Sequence, residues 1–374
     1  MKPETHSLRE ATDSPHPPTF RRVAVYALTR RGAELAARLR DGLAPLSEEA
    51  ALFLPRRLAP VLERIHGAEA ATLFDTLQET LAENFHSFHG HLVVGAAGMV
   101  VRLIAPLLTS KKDDPAVVVL PQDGRFAVSL LSGHLGGGNQ LAWEAARVSG
   151  GQAVVSTATD VEGLPALEVL ARDCGLILEN FAALPKISRR LVDGERVTLF
   201  DPHRILRPHL EPWADRFECV ETPPAATVPQ VRVDWRERPD DGQVLCLRPQ
   251  AVVLGLGCHR GIDVDEMREF IQATLAEAKI SPLSVALLAS VETRRTEPAL
   301  LTISREMSRP FITFTKEELG GVATPNPSAK VAERIGVPSV CEAAAMLAAR
   351  TGSLLISKKK SARGTLAAAL RGWE

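Results

Sequence analysis

The 374-residue chain reads as a multi-domain α/β protein, with N-terminal and C-terminal α/β domains and a smaller middle α/β region between them. Three observations predict this. The length exceeds the roughly 250 to 300 residues at which one hydrophobic core stops growing, so two or three domains are expected. Toward both ends, short apolar runs alternate with amphipathic runs of helical period. Between about residues 156 and 250 that alternation weakens, which separates the two outer domains.

Taken in order, residues 1–20 form a polar, proline-bearing leader without the apolar stretch of a signal peptide, and are expected to be disordered. Val23–Leu28 is a buried strand, and Thr29 caps an amphipathic helix through Leu43. A second apolar run, His91–Ala97, precedes the helical pattern Met99–Leu108. Ala116–Leu120 and Phe126–Leu131 flank Asp123-Gly124, a hairpin signal. After a glycine loop the helix Asn139–Val148 leads to the strand Ala153–Ser156, closing an N-terminal domain over 21–155.

The middle domain, 156–235, carries helical patterns over Val161–Asp173 and Lys186–Val192 and a strand at Val197–Phe200. Proline and charge accumulate from Pro202 to Arg248, so 236–250 reads as a linker. The C-terminal domain, 251–374, opens on the strand Ala251–Gly257, after which Asp263 and Glu266 are spaced as a capping box. Ser284–Val291 reads as a short helix leading to a strand, Phe311–Phe314 as a strand and Ser328–Ile335 as a helix. Ser339 caps an alanine-rich helix ending near Arg350, and Gly364–Leu370 is a last strand. No repeat of 20 to 50 residues is present.

Composition excludes several function classes. Aromatic residues are only 5% and the formal net charge is -1, which supplies neither stacking surfaces nor a basic excess for nucleic acid. The five cysteines, Cys174, Cys219, Cys246, Cys258 and Cys341, are odd in number and form no Cys-x-x-Cys pair. They point to a reducing cytoplasm and to no structural zinc. No stretch approaches 18 uninterrupted apolar residues, so a membrane role is not expected.

The most informative segment is Leu130–Asn139, where Ser132-Gly133-His134-Leu135 is followed by three glycines between a strand and a helix. Backbone amides of Gly136, Gly137 and Gly138 can approach an anion at such a helix N-terminus, against the plainer reading of a tight turn. His134 suits general acid–base work or a structural hydrogen bond. Arg102 follows small residues and suits either a carboxylate or helix packing, and Lys111 lies in a charged loop just beyond it. His86, His89 and His91 lack acidic or cysteine partners and do not read as a metal site.

Gly255-Leu-Gly-Cys-His-Arg-Gly261 superficially resembles a dinucleotide fingerprint, but its third glycine stands one place late. Cys258 beside His259 does not make a catalytic pair, since neighbours on extended chain point to opposite faces. Glu292, Arg294 and Glu297 remain open as site residues, and Ser328 reads first as a helix cap. Gly-x-Ser-x-Gly, Walker and His-Glu-x-x-His motifs are absent from the sequence.

Four N-terminal segments, Gly98–Leu108, Asp114–Val119, Leu130–Asn139 and Thr157–Asp160, together resemble the cobalt-precorrin-5A hydrolase (CbiG) family. The resemblance continues through Ile187–Val197, Gly255–Gly261, Thr324–Ser328 and Ser339–Ala345, covering nearly everything after residue 21. Gly138 stands where the family more often has alanine, Glu168 and Glu292 where aspartate is expected, and Arg294 in place of a lysine.

The resemblance implies a cytoplasmic hydrolase of cobalamin biosynthesis, acting on a carbon–carbon bond. It would open the δ-lactone of cobalt-precorrin-5A and release acetaldehyde to give cobalt-precorrin-5B. It implies catalytic roles for His134 and Glu292. Substrate contacts would come from Arg102, Lys111, Ser132, Gly133, Gly136, Gly137, Gly138, Asn139, Asp160, Arg260 and Ser328. No protein-held metal or cofactor is implied, because cobalt travels in the substrate macrocycle, with an axial histidine such as His134 left open. The expected partners are the cobalt-tetrapyrrole substrate and, transiently, methyltransferases of the pathway. Two rivals stand beside this reading: a non-catalytic corrinoid carrier or assembly protein, and a nucleotide-dependent enzyme built on Gly255–Gly261.

Overall fold

The computed structural model describes residues 20–43, 47–65, 70–110, 113–225, 227–237, 242–327 and 337–372. The chain divides after Gly163 into two units.

In the first unit, strands β1 (Phe20–Ala27), β2 (Ser47–Pro55), β3 (Thr72–Phe74), β4 (Gly90–Val94), β5 (Ala116–Leu120), β6 (Phe126–Leu131) and β7 (Gln152–Val154) make one sheet, ordered β3-β2-β1-β4-β5-β6-β7. The strands from β1 to β5 pair in parallel; β5 and β6 form the expected antiparallel hairpin, with Gly124 at φ 70°. Val23, Val25 and Ala27 pack on one face against helices α1 (Arg30–Gly42) and α4 (Gly138–Ser149), while Ala24 and Tyr26 pack on the other with α2 (Leu77–Asn84) and α3 (Ala97–Ile104). Burial on both faces is why β1 reads as a continuous apolar run. Thr29 caps α1 as expected, accepting from the Gly32 N–H at 3.0 Å. A four-residue helix, α5 (Ala158–Val161), ends the unit.

The apolar side of this sheet that carries α2 encloses His91, which is fully buried. Its Nε2–H donates to the Phe85 carbonyl at 3.0 Å and its Nδ1 accepts from the Tyr26 hydroxyl at 3.3 Å. The ring is a packing element, with Phe85 stacked on it.

The second unit holds two sheets. The first takes β8 (Leu176–Leu178), β9 (Val197–Phe200), β10 (Phe217–Val220), β11 (Gln230–Val233) and β12 (Val244–Pro249) in the order β10-β9-β11-β12-β8, with α6 (Leu167–Asp173) and α7 (Leu184–Val192) in its core. The second takes β13 (Val252–Cys258), β14 (Val285–Val291), β15 (Phe311–Phe314), β16 (Ile356–Lys360) and β17 (Gly364–Leu370) in the order β15-β14-β13-β17-β16. Helices α8 (Val264–Glu277) and α9 (Pro298–Glu306) cover one face; α10 (Lys316–Gly320) and α11 (Val340–Ala349) contribute to the core on the other.

Four expectations need correction here. The segment 236–250 is not a linker: β12 occupies 244–249, and its charge is Arg248, a guanidinium only 2% exposed. The helical run 161–173 is broken, because Gly163 at φ 63° and Pro165 separate α5 from α6. Ser284–Val291 holds no α-helix; a single 3-10 turn at Pro282–Ser284 runs straight into β14. Asp263 caps α8 through the N–H groups of Asp265 and Glu266, but Glu266 Oε1 is buried without a partner, so the reciprocal half of the box is missing. The helix expected over 328–335 falls outside the described residues, as do residues 1–19 of the leader.

Gly255 and Gly257 lie within β13 rather than in a loop after it. A Cβ on Gly255 would sit 1.9 Å from the Cys341 carbonyl oxygen of α11. The glycine therefore admits a helix backbone against the strand, which removes the dinucleotide reading of this motif.

Arg248 ties the two sheets of this unit together. Its Nε donates to Glu179 Oε2 at 2.8 Å, its Nη2 reaches the same carboxylate, and its Nη1 donates to the carbonyls of Asp234 (2.8 Å) and Arg236 (2.6 Å). Glu179 Oε1 in turn accepts from Ser281 Oγ at 2.9 Å, just after α8. The segment between the sheets is welded in the same place, where Arg236 forms an antiparallel bridge with Ile280.

No helix among the described residues is long and apolar enough to cross a membrane. Two outcomes follow from the packing. Arg248→Met takes the donor from two carbonyls and the cation from a partly exposed Glu179, and is expected to lower unfolding free energy by about 1–3 kcal/mol in urea titration; an unchanged midpoint would refute the tie. Burial lowers His91 to about 4, so above pH ~6.5 the ring is neutral folded or unfolded and stability is complete. As pH falls from about 6.5 to about 4, the unfolded chain takes up a proton that the folded chain refuses, and about 3 kcal/mol is lost. Urea titrations across that window should show a clearly flatter slope for His91→Asn than for the native chain.

Candidate active site

The glycine loop between β6 and α4 is closed by its own backbone. The Gly137 N–H donates to the His134 carbonyl at 2.8 Å, Gly138 to Ser132 at 3.0 Å and Asn139 to Gly133 at 2.9 Å. Gly137 takes φ 79°, a left-handed conformation that glycine adopts without steric cost, and a Cβ on Gly138 would lie 2.6 Å from the Leu131 carbonyl oxygen. Ser132 takes a left-handed φ of 53° without being glycine, and its hydroxyl donates to the Asp114 carbonyl at 2.8 Å. Three side chains then converge on one carboxylate oxygen.

That oxygen is Asp160 Oδ2. It accepts from His134 Nε2 at 2.7 Å, Thr157 Oγ1 at 2.5 Å and Asn139 Nδ2 at 3.0 Å. Asn139 Nδ2 also reaches Thr157 Oγ1 at 2.9 Å, and Ser129 Oγ donates to Asn139 Oδ1 at 2.8 Å, which fixes the amide's orientation. Asn139 is 5% exposed, so these bonds satisfy groups that would otherwise be buried unpaired. With Nε2–H given to the carboxylate, the lone pair of His134 resides on Nδ1, the arrangement that makes a histidine a base. His134 and Asp160 side chains remain 13% and 24% exposed, enough for solvent or ligand to reach them.

The structure thus brings together Ser132, Gly133, His134, Gly136, Gly137, Gly138, Asn139 and Asp160. It also revises one role: the amides of Gly137 and Gly138 are spent inside the loop, and the Gly136 N–H is the one of the three without a partner among the described residues. Sequence reasoning missed Ser129, Thr157 and Thr159, whose hydroxyl lies 3.3 Å from His134 Nε2. Thr157-Ala-Thr-Asp160 carried a readable signal, because a threonine three residues before an aspartate is the spacing of a capped helix start. Ser129 gave none.

Other expected residues stand apart from this cluster. Arg102 is exposed on α3 and donates to the Gly98 carbonyl one turn back, at 3.3 Å. Lys111 and Ser328 lie outside the described residues; Asp114 accepts from the Thr109 N–H and hydroxyl, both at 2.9 Å. Arg260 and Glu292 belong to the second unit, both exposed, beyond the C-terminal ends of β13 and β14. Nearby, Arg294 Nε holds the Cys258 carbonyl and Glu297 holds the Gly261 N–H. Burial pushes the Cys258 thiol up to about 11, which keeps it protonated and unreactive near neutrality.

Among the described residues no three His, Cys, Asp or Glu side chains are grouped to hold a metal ion. The chemistry on offer is a carboxylate-oriented histidine beside a helix N-terminus.

The chain is similar to known proteins over most of its length. Residues 79–160 match the family model for the cobalamin synthesis G N-terminal region, 165–249 that for the cobalamin biosynthesis central region, and 252–369 that for the cobalamin synthesis G C-terminus. A cobalt-precorrin-5A hydrolase of Priestia megaterium is 28% identical over 359 residues, covering 93% of this chain and 94% of the relative. The cobalt-precorrin-5A hydrolase of Salmonella typhimurium is 31% identical over 344 residues, covering 89% of this chain and 93% of the relative. A solved cobalamin biosynthesis protein G homologue from Sulfolobus solfataricus aligns over 93% of this chain and 96% of its own, with TM-score 0.36 and 17% identity. With three consecutive family models spanning most of its length and a relative at 31% identity over nearly all of it, the chain belongs to the cobalt-precorrin-5A hydrolase (CbiG) family of cobalamin biosynthesis.

Proposed function

We propose that this protein hydrolyses the δ-lactone of cobalt-precorrin-5A and releases acetaldehyde, giving cobalt-precorrin-5B. The observation that carries the reading is the His134–Asp160 pair at 2.7 Å, set in the glycine loop at the start of α4. Cobalt belongs to the substrate, chelated by the macrocycle's own nitrogens.

His134 Nδ1 takes a proton from water as the oxygen adds to the lactone carbonyl, and Asp160 stabilises the imidazolium that forms. The Gly136 N–H and the start of α4 favour the oxyanion. The ring oxygen then departs as an alkoxide on the bridging carbon. Its electron pair closes a carbonyl while the bond from that carbon to the macrocycle breaks; the macrocycle keeps the bonding pair and takes up a proton. Lactone and one water thus become a carboxylic acid and acetaldehyde, with no change that calls for an outside oxidant. Glu292 was expected as a second catalytic group; nothing in its exposed setting on the second unit adds support for that role.

Anaerobic incubation with cobalt-precorrin-5A, trapping acetaldehyde and weighing the corrinoid by mass spectrometry, tests the reaction. Stoichiometric acetaldehyde is expected; tightly bound but unaltered substrate would instead establish the carrier. His134→Asn should lower kcat roughly 10²- to 10⁴-fold with substrate binding retained, and wild-type turnover in that variant would remove His134 from the chemistry. Cys258→Ala should turn over at the native rate, since a thiol held protonated contributes no nucleophile; a large loss of kcat would overturn that assignment.

A further inference from the structure

The first sheet of the second unit carries a cavity of about 590 Å³ that the proposed reaction does not use. Leu199 on β9, Phe217 on β10 and Leu210 from the 3-10 segment Arg207–Arg216 lie buried behind it, exposed Pro208 and Ala214 of that segment give it apolar surface, and Arg196, Arg204 and Arg207 line it as well. Neighbouring Arg190 and Arg216 are paired with Glu195 and Asp215. The three lining arginines form no ion pair among the described residues, although Glu211 and Glu218 also border the cavity. The one hydrogen bond found for these guanidiniums runs from Arg196 to the Phe217 carbonyl, at 3.5 Å.

The turn that presents two of them is built for the purpose. The nearly buried Asp201 carboxylate accepts the N–H groups of Ile205 (3.0 Å), Leu206 (2.8 Å) and Arg207 (2.9 Å), and its carbonyl accepts from the Arg204 N–H at 3.1 Å. Arg204 is thereby held at φ 53°, a conformation that glycine or asparagine adopts more readily.

We propose that this cavity is a binding site for an amphiphilic polycarboxylate, whose apolar body rests on Pro208 and Ala214 while Arg196, Arg204 and Arg207 grip its carboxylates. Guanidiniums suit this because they bind carboxylates through paired N–H donors and tolerate partial desolvation. The site is proposed for binding alone. It goes beyond the reaction at His134 and stands or falls separately from it.

The test uses the full chain and an octacarboxylate porphyrin as fluorescent probe, with benzene hexacarboxylate as a control that has charge but little apolar body. Saturable porphyrin binding is expected, weakening with salt and at least tenfold tighter than that of the control, on the order of what an added apolar surface contributes. Arg204→Gly with Arg207→Gln should weaken it by roughly a hundredfold, about tenfold per guanidinium. Arg204→Gly also relieves the positive φ, so the variant should melt no lower than the native chain. Hydrogen-exchange protection by the probe should fall on residues 204–219. Absence of binding, equal affinity for the two probes, full binding by the double variant, or protection confined to residues 130–139 would each overturn the site. Acetaldehyde release is measured independently, so a failed cavity and a failed hydrolase give different results.

Discussion

One carboxylate oxygen organises the candidate site. Asp160 Oδ2 gathers a histidine from the glycine loop, an asparagine from the first turn of α4 and a threonine from the start of α5. A four-residue helix has no stability of its own; α5 keeps its place because its aspartate is the common acceptor for groups 21 and 26 residues earlier in the chain. The dependence runs the other way as well. Without Asp160, the buried amide of Asn139 loses a partner, and leaving such a donor unpaired costs about 1–3 kcal/mol. The orientation of His134 and the local fold therefore rest on the same atom.

The second unit shows the same economy with the opposite charge. A guanidinium 2% exposed is a severe desolvation burden unless every donor is met. Arg248 meets that condition with one carboxylate and two carbonyls, drawn from β8's C-terminal flank and from the segment that joins the two sheets. Ser281 carries the network on to the end of α8. A charged side chain placed this way fixes register and docking more than it adds net stability, since only one arrangement satisfies it.

Much of the fold was legible because its strands are buried on both faces. Val23–Leu28, Ala116–Leu120 and Ala251–Gly257 are unbroken apolar runs, and Thr29 and Asp263 mark helix starts through side chains that do accept the expected amides. The failures have physical causes. Arg248 and the residues around it looked like linker because charge in a sequence does not reveal whether a partner neutralises it in the fold. The glycines of β13 left a nucleotide-binding rival open because close approach of a helix and close approach of a phosphate both demand a missing Cβ. Of the site, His134, Asn139 and Asp160 were legible, but their convergence was not: it depends on β6 and β7 lying side by side, which brings the segment after β7 back to the loop. Ser129 could not have been found, because which face of β6 it occupies is settled only by pairing.

Among the described residues, the bonds gathered on Asp160 suit the proposed lactone hydrolysis. The hydrogen bonds described around His134 join neutral donors to a single carboxylate, with a backbone amide and a helix N-terminus as the electropositive elements. Lactone opening starts from a neutral ester and ends in a carboxylate. A site rich in fixed cations would bind that product more strongly than the substrate, and tight product binding slows release. Partial charges aimed at the oxyanion stabilise the transition state without holding the product as firmly. The arginines proposed as a ligand site on the second unit do the reverse, offering full charge to carboxylates.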